Sequence, residues 1–161
     1  FYADHDSNPA NWPSHYETTG PEIWRQTEGE VTHLVVGVGT SGTLMGAGRY
    51  LREQNAEIRI IAFQPDGPFH GLEGLKHMPS VAAPGIYDPD FAEEQLSIRT
   101  EDALEMTRRL AREQGVFAGV SSGAAAVAAA RVASELEQGV VVTLFPDSGL
   151  KYLSESFWEA G

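Results

Sequence analysis

Residues 37–43 read Gly-Val-Gly-Thr-Ser-Gly-Thr and alternate small residues with hydroxyl side chains. Without bulky side chains, successive backbone N–H groups can converge on one anion, and the hydroxyls can donate further hydrogen bonds. The apolar run 31–38 precedes this turn and a helical pattern follows it, so the positive end of a helix dipole lies there too. The sequence therefore predicts a phosphate-binding loop. Its predicted binding residues are Gly39, Thr40, Ser41, Gly42 and Thr43.

The same turn also fits the dinucleotide fingerprint G-x-G-x-x-G. That fingerprint needs an acidic residue at the end of the next strand, where it meets the ribose. Here the next apolar run ends in Gln64-Pro65. The missing acid disfavours a nicotinamide or flavin, and an NAD(P)-binding Rossmann domain is kept as an alternative.

A second turn, residues 119–123, reads Gly-Val-Ser-Ser-Gly and satisfies the hydrolase pattern G-x-S-x-G. All five histidines precede Ser121, whereas that hydrolase fold supplies its base downstream of the serine. A hydrolase is therefore a remote interpretation. A turn that caps the alanine-rich helix after it is the simpler one.

Short β-branched runs alternate with helical patterns along the chain, which is typical of α/β proteins with a parallel sheet. Strands are predicted at residues 31–38, 58–64, 95–99 and 140–145. Helices are predicted at residues 44–53, 101–114 and 122–137, with a further one beginning near Gly20. Thr100 is the predicted N-cap of the second of these helices, and Gly115 and Gly139 are the predicted stops. We predict an α/β fold with an open parallel sheet flanked by helices.

Residues 65–89 interrupt this alternation with proline and glycine. A connection this long inside a compact domain is usually functional or mobile. We expect it to border the ligand.

Composition excludes several classes of function. The net charge is −12 with 11 basic residues, which disfavours binding to the phosphate backbone of a nucleic acid. The chain has no cysteine, which excludes disulfides and thiolate metal sites, and we predict no metal. No apolar run is long enough for a membrane helix, so we expect a cytoplasmic protein with one globular core.

Several motifs occur together in one order along the chain. They are Asn8-Pro9-Ala10-Asn11, His15, Thr18-Thr19-Gly20-Pro21-Glu22-Ile23, the loop 39–43, Gly119-Val120-Ser121-Ser122-Gly123-Ala124-Ala125 and the stretch 146–154. In these motifs the chain resembles the cysteine synthase (O-acetylserine sulfhydrylase) family of fold-type-II pyridoxal-phosphate enzymes, related to the tryptophan synthase β subunit. The resemblance implies that residues 1–161 are the C-terminal portion of a large, cofactor-binding domain. We therefore expect a truncated chain whose lysine-bearing part and smaller domain lie upstream.

The resemblance also implies roles for individual residues. The loop 39–43 is expected to cradle the 5′-phosphate of pyridoxal 5′-phosphate, and Ser41 would crowd that anion if its position needs a positive φ. Ser121 is expected to hydrogen-bond the pyridine nitrogen, which suits β-replacement because a neutral hydroxyl keeps the ring a moderate electron sink. Gly74 is expected in a segment that closes over substrate. Asp147 and Ser148 are expected near the cofactor, with helix capping as an equal alternative.

The main departure from the family pattern is that this sequence lacks the lysine that holds the cofactor aldehyde as a Schiff base. The chain has two lysines, Lys76 and Lys151, and neither lies in the family's sequence context for that residue. Both are predicted to be solvated surface charges. We therefore predict no catalytic residue in this chain, weak cofactor binding and no turnover by this polypeptide alone.

The predicted function, for the full-length form, is β-replacement that makes L-cysteine from O-acetylserine and sulfide. Cystathionine β-synthase-like chemistry and a non-catalytic module that binds a cofactor or a partner are the alternatives. The resemblance further implies a homodimer and a serine acetyltransferase as partner.

Overall fold

Four parallel strands form the centre of the computed structural model, which describes residues 4–6 and 8–159. The strands are β1 His33–Gly37, β2 Arg59–Pro65, β3 Glu94–Ile98 and β4 Val141–Thr143. Their order across the sheet is β3-β2-β1-β4, and every neighbouring pair is parallel. Val35 of β1 stands in register with Ile61 on one side and Thr143 on the other. The predicted open parallel sheet is confirmed.

Helices cover both faces of this sheet. They are α1 Asn11–Glu17, α2 Thr19–Gln26, α3 Gly42–Gln54, α4 Thr100–Gln114 and α5 Val120–Ser134. Successive side chains of β1 point to opposite faces. Leu34 and Val36 pack into the core that includes α3, whereas Val35 packs into the core that includes α5. The central strands are apolar on both faces for this reason, as in other doubly covered parallel sheets.

Two predicted helix boundaries are wrong. Arg99, and not Thr100, is the N-cap of α4, and Thr100 is already the first helical residue. Helix α5 ends at Ser134 with Glu135 as its C-cap, so Gly139 lies beyond the helix and does not stop it. Gly115 does end α4, in the left-handed conformation with φ 67°. A glycine stops a helix only where the chain leaves it in that conformation.

Helix α1 is missing from the sequence prediction. It has seven residues, none of them fully buried, and carries Pro13 in its first turn. Such a short segment has little intrinsic helical stability and forms through packing. The packing partner is α3: a Cβ added to Gly46 would lie 2.2 Å from the carbonyl oxygen of Trp12.

Three short 3₁₀ helices cover Met78–Ser80, Gly149–Tyr152 and Ser156–Glu159. Of the helices in the described part of the chain, none combines the length and apolar character that a membrane span requires.

Candidate functional site

A crevice of about 240 Å³ opens at the carboxyl ends of the strands. The chain proceeds from β1 to β3 on one side and places β4 on the other side of β1. The crevice therefore lies where the strand order reverses, which is the usual ligand position in open parallel sheets. Its lining comprises Val36, Gly37, Gly39, Thr40, Ser41, Gly42, Thr43, Phe63, Gly74, Leu75, Ser121, Leu144 and Pro146.

Ser41 has a strained backbone conformation in this lining. Its φ of 73° lies in the left-handed region, which costs a serine roughly 1 kcal/mol. Its side chain is buried, with 3% of the residue exposed, and its Oγ has no hydrogen-bond partner among the described residues. A strained residue with a buried, unpartnered hydroxyl in a crevice is a candidate for a ligand contact.

Gly39 and Gly42 allow the loop to touch its neighbours. A Cβ on Gly39 would lie 2.4 Å from the carbonyl oxygen of Gly74, so the loop and the segment 71–75 are in direct contact. A Cβ on Gly42 would lie 1.7 Å from Oδ1 of Asn11. Gly74 itself has a φ of 88°. The structure thus brings the predicted loop and the predicted closure segment together, and residues 65–89 do border the crevice.

Two side chains of α1 hold the hydroxyls of the loop. Nδ2 of Asn11 donates to Oγ1 of Thr40 at 3.1 Å. The His15 ring lies between Thr43, with Nε2 and Oγ1 3.4 Å apart, and Thr19, with Nδ1 and Oγ1 2.9 Å apart. Burial lowers the pKa of His15, which keeps the imidazole neutral near pH 7.

Sequence reasoning gave these two residues no role of their own. In the sequence, Asn11 and His15 stand out only as members of motifs that carry the family resemblance. Their spacing of four residues is the available signal, because residues four apart share one face of a helix. That signal becomes usable only once residues 11–17 are known to be helical.

Ser121 reaches the same crevice from α5. It is 6% exposed and lies in the first turn of that helix, one residue after Val120. A hydrolase nucleophile sits instead on a strained strand-to-helix turn, and Ser121 is not among the residues with positive φ. The site therefore joins the N-terminal turns of two helices, α3 and α5, around one space.

Asp147 and Ser148 lie beside the crevice and not in its lining. One carboxylate oxygen of Asp147 accepts a hydrogen bond from the Tyr152 hydroxyl at 2.8 Å. Burial, followed by that hydrogen bond, raises the pKa of Tyr152. The other oxygen, Oδ1, lies against Gly119, where a Cβ would come within 2.0 Å. Asp147 thus braces the start of α5, and the Ser148 Oγ accepts from the backbone of Leu150 at 3.3 Å as the cap of a 3₁₀ helix.

The two lysines are engaged in ion pairs outside the crevice. Lys151 is half exposed, as predicted, and pairs with Glu73 at 2.7 Å. The hydrogen bond that its ammonium donates to Glu73 raises the pKa of Lys151. Lys76 pairs with Asp6 at 3.0 Å, with 30% of its side chain exposed, so it is less solvated than predicted. Of the two, neither belongs to the crevice lining in the described structure.

The chemistry of the lining fits a phosphate held without basic side chains. In the described structure the crevice offers hydroxyls, glycine backbone and helix N-termini, and its lining contains no charged residue. The fit to a dinucleotide is poorer. Gln64, at the position of the ribose-binding acid, already uses its side-chain oxygen to accept from the backbone of Met78 at 2.9 Å.

Comparison with known families decides between these ligands. Residues 1–147 match the family model described as pyridoxal-phosphate dependent enzyme. The chain belongs to this family. Its members use pyridoxal phosphate, so the predicted cofactor is confirmed at the level of the family.

The relatives of this chain include cysteine synthases. The cysteine synthase of Aquifex aeolicus is 49% identical over 161 residues, covering 98% of this chain and 49% of that protein. Cysteine synthase B of Pseudomonas aeruginosa is 42% identical over 157 residues, covering 97% and 52% respectively. The predicted resemblance is confirmed, and the chain spans about half the length of the curated relatives it matches.

Solved structures agree with the fold. A cysteine synthase from Entamoeba histolytica superposes with a TM-score of 0.93 at 35% identity, covering 100% of this chain and 50% of that one. An O-acetylserine-dependent cystathionine β-synthase from Helicobacter pylori gives 0.85 at 33% identity, covering 97% and 53%. The fold-type-II assignment is therefore confirmed.

Proposed function

We propose that residues 39–43 and Ser121 hold pyridoxal 5′-phosphate in a whole protein that makes L-cysteine from O-acetylserine and sulfide. The observation that carries the proposal is the buried hydroxyl of Ser41, which has no partner among the described residues, in a crevice that Ser121 shares. The family membership and the cysteine synthases at 42–49% identity support the choice of cofactor and reaction. In this proposal residues 1–161 are the C-terminal portion of the cofactor-binding domain.

The loop binds the phosphate end. Helix α3 has 13 residues, and its N-terminus directs backbone N–H groups and partial positive charge toward the crevice. The hydroxyls of Thr40, Ser41 and Thr43 add donors. Hydrogen bonds to a charged acceptor are stronger than those between neutral groups, so a dianion gains most from such a donor set.

Ser121 meets the ring end. When bound, pyridoxal phosphate supplies an electron sink for the electron pair left on a substrate carbon that loses its proton. The neutral hydroxyl of Ser121 orients the pyridine nitrogen without providing the negative charge of a carboxylate. Val36, Phe63 and Leu144 supply apolar walls that exclude water from the same space.

The segment 71–75 covers the substrate side. Leu72 anchors it with no exposed surface, whereas Glu73 and Gly74 remain exposed. Gly74 tolerates φ 88° without strain, which lets the backbone turn toward Gly39. The proposal assigns the aldehyde-binding lysine to a part of the whole protein outside these 161 residues, because the two lysines here are paired with acids.

Assembly and location follow from the resemblance only. We propose a cytoplasmic homodimer, with a serine acetyltransferase as its partner. Sedimentation of the whole protein alone and with an acetyltransferase C-terminal peptide tests both interactions. A monomer that ignores the peptide contradicts them and leaves the cofactor proposal untouched.

A cofactor titration tests the loop. The whole protein should bind pyridoxal phosphate saturably, and a Thr40→Ala, Thr43→Ala double variant should bind it at least tenfold more weakly, since each lost bond to a charged group is worth about 1.5 kcal/mol or more. Ser14→Ala is the matched control, because this exposed hydroxyl bonds to the Asn11 carbonyl oxygen and to no other group in the described part of the chain. Equal uptake by the double variant, or protection by NAD instead, refutes the proposal.

A substrate comparison tests the reaction. With O-acetylserine fixed, sulfide should be the better acceptor, giving cysteine. Preference for homocysteine as the acceptor would favour the cystathionine β-synthase type of the Helicobacter pylori neighbour. Cofactor binding with no product from either acceptor would favour a non-catalytic module.

A further inference from the structure

The hydroxyl of Thr40 has both of its acceptor positions occupied. A threonine hydroxyl carries one hydrogen and two lone pairs. The Asn11 side-chain amide donates to Oγ1 of Thr40 at 3.1 Å, and the backbone N–H of Gly42 donates to the same oxygen at 3.3 Å. The hydroxyl hydrogen of Thr40 is therefore left to donate, and Thr40 lines the crevice.

The hydroxyl of Thr43 depends on the tautomer of His15. If Nε2 carries the proton, the ring donates to Thr43 across 3.4 Å and accepts from Thr19 across 2.9 Å. The hydrogen of Thr43 is then free for the crevice. If Nδ1 carries the proton, the ring accepts from Thr43 and takes that hydrogen away. Burial lowers the pKa of His15, so one of these two neutral forms is present near pH 7.

We propose that Asn11 and His15 are positioning residues that turn the hydroxyl hydrogens of Thr40 and Thr43 toward the cofactor phosphate, with His15 in the Nε2-protonated form. This inference rests on the proposed function, because it assigns the phosphate to the loop. Neither side chain belongs to the crevice lining in the described structure. They act on the anion through the two threonines.

Helix α1 holds both donors in place. A Cβ on Gly42 or Gly46 of α3 would collide with Asn11 or with the backbone of α1, so the two helices touch directly. The aromatic ring of Trp12 adds a second attachment, because the Arg49 guanidinium lies 4.4 Å from its centre. A rigid support fixes hydroxyl orientation before the ligand arrives, which lowers the entropic cost of binding.

The first test reads the tautomer directly. In the ¹⁵N NMR spectrum of the whole protein loaded with pyridoxal phosphate, His15 should show a protonated Nε2 and an unprotonated Nδ1. A protonated Nδ1 overturns the proposal for His15. The measurement uses no variant at this position, so misfolding cannot obscure the outcome.

The second test compares two ligands on the same variants. His15→Leu and Asn11→Leu should each weaken pyridoxal phosphate roughly tenfold and leave pyridoxal, which lacks the phosphate, unchanged, because a bond to a charged group is lost. His15→Gln should recover most of the affinity, since its amide can donate near the Nε2 position. Ser14→Ala, on the exposed side of α1, is the control.

The outcomes separate the inference from the function on which it rests. If the unaltered protein fails to bind pyridoxal phosphate, the proposed function is refuted. If it binds and the leucine variants lose pyridoxal and pyridoxal phosphate equally, the proposed function stands and the positioning role is refuted. Equal losses with His15→Gln and His15→Leu also refute the role of His15.

Discussion

Two parts of the crevice wall are built in different ways. The loop 39–43 is largely buried, and its threonine hydroxyls are fixed by Asn11 and His15 of α1. The segment 71–75 is mostly exposed and is tied down by the buried Leu72, by backbone contact at Gly74 and by the ion pair of Glu73 with Lys151. We expect the loop 39–43, which we call the rigid wall, to keep its shape before any ligand arrives. We expect the segment 71–75, which we call the mobile wall, to open where its exposed ion pair breaks.

The difference matches two different tasks. A phosphate anchor gains affinity from donors that are already oriented. A segment that admits and releases substrate needs contacts that cost little to open, and exposed ion pairs are of that kind because water and salt screen them. We infer that the loop anchors the cofactor while the segment controls access.

Gly46→Ala should damage the rigid wall most. The new Cβ would lie 2.2 Å from the carbonyl oxygen of Trp12, so α1 must move away from α3. Overpacking of this kind exceeds the helix-propensity gain of alanine, and we expect a net loss of about 2 kcal/mol in the free energy of unfolding. Urea denaturation measures it. Gly67→Ala is the control, because nothing lies within 4 Å of its Cβ, and equal effects of the two changes would contradict the tight α1–α3 contact.

Ser41→Gly should separate stability from binding. Glycine relieves the left-handed strain and removes a buried hydroxyl that has no partner in the described structure. Together these gains outweigh the greater freedom of glycine in the unfolded chain. We expect about 1 kcal/mol more stability and roughly fivefold weaker binding of pyridoxal phosphate. Ser41→Ala keeps the Cβ and should weaken binding without the gain in stability. Unchanged binding in both variants would show that the hydroxyl does not contact the anion.

Acid should weaken the rigid wall through His15. Its folded pKa lies below the ordinary value of 6.5, so the unfolded chain takes up the proton first. The contribution of neutral His15 to the free energy of unfolding is fully present above pH 6.5, and it declines as the pH falls toward the folded pKa of His15. His15→Gln should therefore lose less stability than the unaltered protein between about pH 7 and about pH 5 in thermal unfolding. Parallel stability curves for the two proteins would contradict this role of His15. The decline in stability that remains in His15→Gln reflects His33 and His70, because burial lowers their pKa values too.

Lys151→Gln should have the smallest effect on stability and still alter the mobile wall. The pair with Glu73 is exposed on both sides, so we expect no measurable change in the midpoint of thermal unfolding. The cofactor should exchange a few-fold faster in stopped-flow displacement, because the segment 71–75 opens more often. Arg109→Gln removes an exposed pair with Glu113 on α4 and is the control. The same exchange rate in both variants would show that the Glu73 pair does not restrain the segment.

The sequence predicted the elements whose signals are local. Periodicity and β-branched runs located all four strands, and glycine with hydroxyl residues marked the loop 39–43. It also named Ser121 and Gly74, which the structure brings to the same crevice. The capping alternative that the sequence kept open for Ser148 agrees with its geometry.

Where the sequence prediction failed, the missing signal is non-local. Helix α1 is short and half exposed, so its stability comes from α3 and leaves little periodicity to detect. The Asn11–Thr40 hydrogen bond joins residues 29 positions apart. Asp147 pairs with Tyr152 and packs against Gly119, a placement that depends on where the last strand ends relative to α5.

By itself, the sequence predicted the order of the four strands and of four of the five α-helices in the described residues, a candidate anion-binding loop and the family. Backbone hydrogen bonding and the alternation of apolar side chains fix these features within a few residues of chain. Only the tertiary structure decided that α1 supports the loop, that Ser41 is strained and unpartnered, and that Gly74 rests against Gly39. Such contacts depend on how helices and sheet pack, and packing is a property of the whole fold.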